Sequence, residues 1–220
     1  MKRIALTLVS IFAALLICEG KEQYIYTQIS LADGLSSTVN CIHKEPYKDV
    51  WLGAANGLYR FNGYDLKHYD DSLFKGSEIY QISADKEGNL WFLTDKWLIR
   101  KKADKEEFHK VLINNDETKR PYFSICHDDK GIYFGSTGKI LRYLYENDSL
   151  SVFCEYTDEE NFAFKHIKRI GRGRLICGSH NGIVLIETDI NNATPTANRM
   201  SQKEVSSIFI DSKQRIWIAF

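Results

Sequence analysis

Six histidines are the side chains best able to move protons near neutral pH: His43, His68, His109, His127, His166 and His180. A hydrolase or lyase would need at least one of them beside a nucleophile or a carboxylate pair. The six are scattered, and no Ser/His/Asp or paired-carboxylate grouping can be read around them, so they read as surface or loop histidines. Cys41, Cys126, Cys154 and Cys177 are far apart and show no C-x-x-C spacing. Metal binding is therefore not indicated, and the four read as small apolar residues buried on strands. The stretch Lys165-His166-Ile167-Lys168-Arg169-Ile170-Gly171-Arg172-Gly173-Arg174 is strongly basic. It could hold an acidic sugar or a phosphate, but it also reads as a solvated strand face and turn. Gly171-x-Gly173 lacks the third glycine and the following helix of a dinucleotide site. Trp97 sits in a turn-like position, where it could stack on a sugar ring or pack on the outside of a sheet. The sequence thus shows no catalytic, metal or cofactor set, and it leaves any ligand-binding residues unassigned.

The elements that would position these residues follow a repeat. Five segments align on a bulky residue, followed in most by a small one two positions on: Val50-Trp51-Leu52-Gly53, Leu90-Trp91-Phe92-Leu93, Ile132-Tyr133-Phe134-Gly135, Leu175-Ile176-Cys177-Gly178 and Ile216-Trp217-Ile218-Ala219. The anchors at 51, 91, 133, 176 and 217 are spaced by 40, 42, 43 and 41 residues. An isoleucine precedes each by eight or nine positions: Ile42, Ile82, Ile125, Ile167 and Ile208. Turn chemistry lies between, as in Asp85-Lys86-Glu87-Gly88-Asn89 and Asp128-Asp129-Lys130-Gly131, where aspartate can cap the turn. The fourth unit has lost that aspartate at 171–174. A second turn follows each anchor, Asn56-Gly57 and Asn181-Gly182 being the clearest hairpin signals. Two further apolar runs complete each unit. The pattern predicts four short strands per unit of about 42 residues, with almost no helix.

Four-stranded units of this length, stacked around an axis, are the blades of an all-β propeller. One such sheet has two apolar faces and cannot bury both alone, whereas stacking buries them. A β-sandwich would explain alternating strands but not the fixed period. The expected blades cover about 36–75, 76–117, 118–160 and 161–203, with a partial blade at 204–220 and a preceding strand at 24–30. This is an incomplete ring, and the expectation is that the chain is a truncated product or a fragment of a longer protein.

Composition fits a folded domain: 44% of the 220 residues are hydrophobic and 13% aromatic. Lysine plus arginine equal aspartate plus glutamate at 29 each, which gives no support for a nucleic-acid binder. Residues 1–20 read as a signal peptide: Lys2 and Arg3, a 14-residue apolar run from Ile4 to Ile17, then Cys18-Glu19-Gly20 with cleavage after Gly20. An uncleaved anchor is the main alternative. A lipidated Cys18 is disfavoured because Ile17 is not small. Export, to the periplasm or the periplasmic side of the inner membrane, would permit a disulfide, although the cysteine spacing does not indicate one.

The opening Ile29-Ser30-x-x-Asp33-Gly34-Leu35-Ser36-Ser37, then Val39-x-x-Ile42, Val50-Trp51-Leu52-Gly53 and Asn56-Gly57-Leu58-Tyr59-Arg60-Phe61-Asn62-Gly63, resembles the two-component regulator propeller. The likeness spans nearly the whole chain after residue 20 and is strongest in the first unit and at 205–218. Units two to four are degenerate, with Trp97 in place of the second turn glycine. The resemblance implies the periplasmic sensor region of a bacterial hybrid two-component system, with an oligosaccharide from glycan breakdown as ligand and a homodimer in the full-length protein. The membrane-linked signalling module, including the histidine kinase, would lie outside this chain. Two other readings stay open: a secreted propeller enzyme acting on polysaccharide, and an exported scaffold that binds proteins.

Overall fold

The computed structural model describes residues 28–46, 49–111, 123–157, 162–171, 173–188 and 195–220. The expected leader at 1–20 and residues 24–27 of the expected first strand lie outside these, and Gln28–Ser30 carry no strand. Residues 31–220 form one compact unit.

The described residues are all-β apart from one 3-10 turn at Leu31–Asp33. The first sheet holds β1 (Val39–Lys44), β2 (Val50–Ala54), β3 (Gly57–Phe61) and β4 (Leu66–Tyr69) in that order. The second holds β5 (Ile79–Ala84), β6 (Leu90–Thr94), β7 (Leu98–Lys101) and β8 (Phe108–Val111). The third holds β9 (Ser124–His127), β10 (Gly131–Gly135), β11 (Lys139–Leu144) and β12 (Ser149–Glu155). The fourth holds β13 (His166–Arg169), β14 (Arg174–Ser179), β15 (Gly182–Glu187) and β16 (Thr196–Ser201). A fifth sheet pairs β17 (Ser207–Ile210) with β18 (Ile216–Ala219). All pairings are antiparallel meanders between sequence neighbours.

Each sheet meets the next through its first strand: β1 lies by β5, β5 by β9, β9 by β13 and β13 by β17. The interfaces repeat the same chemistry. Trp51, Leu58 and Tyr69 of the first sheet pack on Ile82, Leu90, Phe92 and Ile99 of the second. Trp91, Leu93 and Leu98 then meet Ile125, Ile132, Phe134 and Leu141. Tyr133 and Ile140 meet Ile167, Leu175 and Cys177, while Ile176 and Ile183 meet Val205 and Ile208. The anchor and its two-residue neighbour therefore face the following sheet, and the residue between them faces the preceding one, as strand alternation requires. The small residue after the anchor has a steric reason. A Cβ on Gly53 would lie 2.7 Å from the Ile79 side chain, and one on Gly178 would lie 2.7 Å from Val205. Glycine lets the next sheet approach. In the second unit Leu93 fills this place and is itself fully buried.

Candidate functional site

Four of the five anchors share a polar device at the turn between the first two strands of a sheet. Trp51 Nε1 donates to Glu45 Oε2 (2.6 Å), and Trp91 Nε1 donates to Asp85 Oδ2 (2.8 Å). The Tyr133 hydroxyl donates to Asp128 Oδ2 (3.0 Å), and Trp217 Nε1 donates to Asp211 Oδ2 (3.1 Å). The same carboxylates cap their turns: Asp85 Oδ1 accepts from the amides of Glu87 and Asn89, and Asp128 Oδ1 accepts from those of Lys130 and Gly131. An arginine covers each ring. Arg60, Arg100 and Arg142 sit on the third strand directly opposite the anchor in register. Their guanidinium carbons lie 5.2, 5.4 and 5.0 Å from the Trp51, Trp91 and Tyr133 ring centres. Arg215 does the same for Trp217 at 5.4 Å. Burial beside Asp128 pushes the Tyr133 phenol well above its ordinary pKa. In the fourth unit the anchor is Ile176, which has no N–H to satisfy, and the turn has no carboxylate. Donor and acceptor are lost together.

Two clefts open between sheets at this end. One, of about 700 Å³ and open to solvent, lies between the second and third sheets and is lined by Glu87, Asn89, Lys130, Arg142, Tyr145 and Glu146. A much smaller one, of about 50 Å³, lies between the third and fourth sheets. Behind the larger cleft runs a hydrogen-bonded chain that sequence spacing did not reveal. Ser83 Oγ lies 2.6 Å from His127 Nε2, and His127 Nδ1 lies 2.8 Å from the Tyr145 hydroxyl. Ser83 and His127 are 44 residues apart and meet because β5 and β9 are adjacent first strands. Burial lowers the His127 pKa to about 4, so the ring is neutral at pH 7. Such an imidazole is a poor base, and its second nitrogen faces a phenol rather than a carboxylate. The contact therefore joins two sheets without activating Ser83 as a nucleophile.

The other histidines are dispersed. His68 stacks on Tyr59 with ring centres 4.3 Å apart, and His109 lies 3.7 Å from Glu107. His43 and His166 are half-buried on β1 and β13, and burial pushes both pKa values down. His180 is exposed in the β14–β15 turn. Among the described residues no group of His, Cys, Asp and Glu is arranged to hold a metal. Cys154 and Cys177 are buried, Cys126 packs against the same core, and Cys41 lies at the first interface. All four are free thiols. Burial pushes Cys41 up to about 12 and raises Cys177 well above its ordinary value. Of the basic stretch, β13 carries His166 to Arg169, the turn follows, and Arg172 lies outside the described residues. Trp97 is 39% exposed, and the Lys110 ammonium sits 2.7 Å above one face of its ring. The turn works without glycine because Thr94 Oγ1 accepts from the amides of Lys96 and Trp97.

These sheets, stacked through their first strands without closing a ring, define a β-propeller. Residues 74–96 match the family model of the two component regulator propeller, which bears out the resemblance read from the opening motif. The matched stretch ends one residue before Trp97, where the glycine pattern breaks. Among solved structures, the chain is similar to the extracellular domain described as that of a hybrid two component system, BT3049 from B. thetaiotaomicron. The identity is 17%, the TM-score 0.71, and the match covers 89% of this chain and 29% of that one. A second such domain, BT4673 from the same organism, is 22% identical with a TM-score of 0.60, over 78% of this chain and 24% of that one. Streptogramin B lyase is 13% identical with a TM-score of 0.64, over 83% and 62%. The chain thus spans about a quarter of the length of the two-component ectodomains it matches. A comparison with curated proteins finds no match. Among the described residues no helix is long and apolar enough to cross a membrane.

Proposed function

We propose that this chain is ligand-sensing periplasmic material of a two-component regulator, responding to glycan breakdown products and doing no chemistry on them. The observation that carries the reading is the match of residues 74–96 to the two component regulator propeller. The signal-peptide pattern at residues 1–20 and the extracellular domains among the similar structures support export. The larger cleft, bordered by Tyr145, two cations and several carboxylates, offers an open surface with the mixed polarity that oligosaccharides need. Coupling to a kinase would pass through parts of a longer protein.

The enzyme alternative has one observation behind it, the likeness in fold to a lyase. Fold does not carry function, and the Ser83–His127 contact lacks the basicity that acyl or proton transfer requires. One experiment separates the readings. The purified chain is incubated with polysaccharides and with their oligosaccharide digests, following both binding and chain length. Saturable binding of an oligosaccharide recovered unchanged is the expected result. Shortening of the polysaccharide would replace sensing with catalysis. Absence of both, with capture of a protein instead, would favour the scaffold reading.

A further inference from the structure

The larger cleft, of about 700 Å³, is more acidic than its mixed lining suggests. Glu87 borders it from the second sheet, and Asp129 and Glu146 from the third. Two cations border it as well, Lys130 and Arg142. Arg142 is already neutralised, because its guanidinium pairs with Asp128. Glu87 has the exposed Lys86 ammonium 3.9 Å away, outside the lining. Asp129, Glu146 and Lys130 enter no ion pair among the described residues. Three carboxylates therefore share the cleft with one lysine.

Asp85 adds a further negative charge behind them. It is 9% exposed, and its carboxylate accepts only from neutral N–H groups, those of Glu87, Asn89 and Trp91. The consequence shows at Tyr145, which borders the cleft. Burial, and then the charges of Asp85, Glu87 and Asp128, push its phenol well above the ordinary pKa. The same tyrosine is firmly held. Its hydroxyl lies 2.8 Å from His127 Nδ1, and His127 Nε2 lies 2.6 Å from Ser83 Oγ. Its ring centre lies 5.6 Å from that of the buried Trp91, with the planes 30° apart. Carboxylates along a cleft with buried apolar walls focus a negative potential into it. Such a cleft repels acidic ligands and draws in protonated amines, which an aromatic face also attracts.

We propose that this cleft binds an amino sugar, its protonated amine facing Glu87, Asp129 and Glu146 and its ring against Tyr145. The volume lies within the roughly 300–1,000 Å³ of ligand pockets and accommodates a short oligosaccharide. The proposal rests on the reading of this cleft as the sensing surface and narrows it to one class of ligand.

The test is calorimetric titration of the chain, at mildly acidic pH, with the disaccharide of glucosamine, its N-acetylated counterpart and putrescine. The glucosamine disaccharide binds saturably, and more weakly as salt is added. The N-acetylated form keeps the rings, loses the charge and binds about ten-fold more weakly. Glu87→Gln combined with Glu146→Gln, both at exposed positions, weakens the amine-bearing sugar by about the same factor and leaves the thermal transition unchanged. Tyr145→Leu abolishes binding; should that variant fail to fold, the two glutamine changes carry the result. No binding of the glucosamine disaccharide, or binding indifferent to the glutamine changes, overturns the proposal. Putrescine binding as tight as the disaccharide overturns the sugar assignment. Equal binding of both sugars, lost in Tyr145→Leu, overturns the amine assignment and leaves the sensing reading standing. That reading falls too only if the oligosaccharide digests also fail to bind.

Discussion

The same substitution at two equivalent anchors separates the energetics of the turn device from those of the repeat itself. At Trp91→Phe the indole is fully buried, and its N–H serves the nearly buried Asp85 carboxylate at 2.8 Å. Losing a hydrogen bond to a charged acceptor costs about 1.5–3 kcal/mol. The smaller ring weakens the Arg100 contact at 5.4 Å, worth about 0.5–1 kcal/mol, and leaves a void beside Tyr143 and Tyr145, worth about 1 kcal/mol more. The total is about 3–5 kcal/mol. Trp217 makes the same hydrogen bond and the same arginine contact but is 55% exposed. Water can replace both there, and Trp217→Phe should cost about 1 kcal/mol or less. For a domain of this size the thermal midpoint moves about 2–4 °C per kcal/mol. Trp91→Phe should therefore lower it by roughly 6–20 °C and Trp217→Phe by no more than about 4 °C. Circular dichroism melts of both variants give the answer. Equal shifts at the two sites, or less than 2 °C at Trp91, would refute the claim that burial sets the worth of this hydrogen bond.

Gly135→Ala places a Cβ 2.0 Å from the Phe164 carbonyl oxygen, a backbone atom that cannot move aside, whereas Gly53→Ala meets only the side chains of Cys41 and Ile79. Urea unfolding should show the first costing about 3 kcal/mol or more and the second less. His127 has a folded-state pKa of about 4 and an unfolded value near 6.5, so the unfolded chain takes up the proton first as pH falls. Its contribution is complete above about pH 6.5 and declines through about pH 4, by about 3 kcal/mol in all. His127→Gln should flatten that part of a stability-versus-pH profile, and an unchanged slope would contradict it. The Cys41 thiol, pushed up to about 12 by burial, should resist iodoacetamide at pH 8 until denaturant is added, as peptide mass mapping would show.

Much of this architecture was legible in the chain because each unit states it again. The anchors at 51, 91, 133, 176 and 217 all fall on the second strand of a sheet, and the Asp85 and Asp128 turns cap themselves as their side chains allow. Those are local properties, set by alternation and turn chemistry within a few residues. The sites were not legible. Ser83, His127 and Tyr145 come from three strand ends and meet only because adjacent sheets bring β5 beside β9. The lysine ammonium that covers Trp97 comes from β8, two strands along the meander from β6. A repeat prescribes what every unit does alike through short-range contacts, whereas a site arises where two units differ across an interface, and only the stacked structure brings those differences face to face.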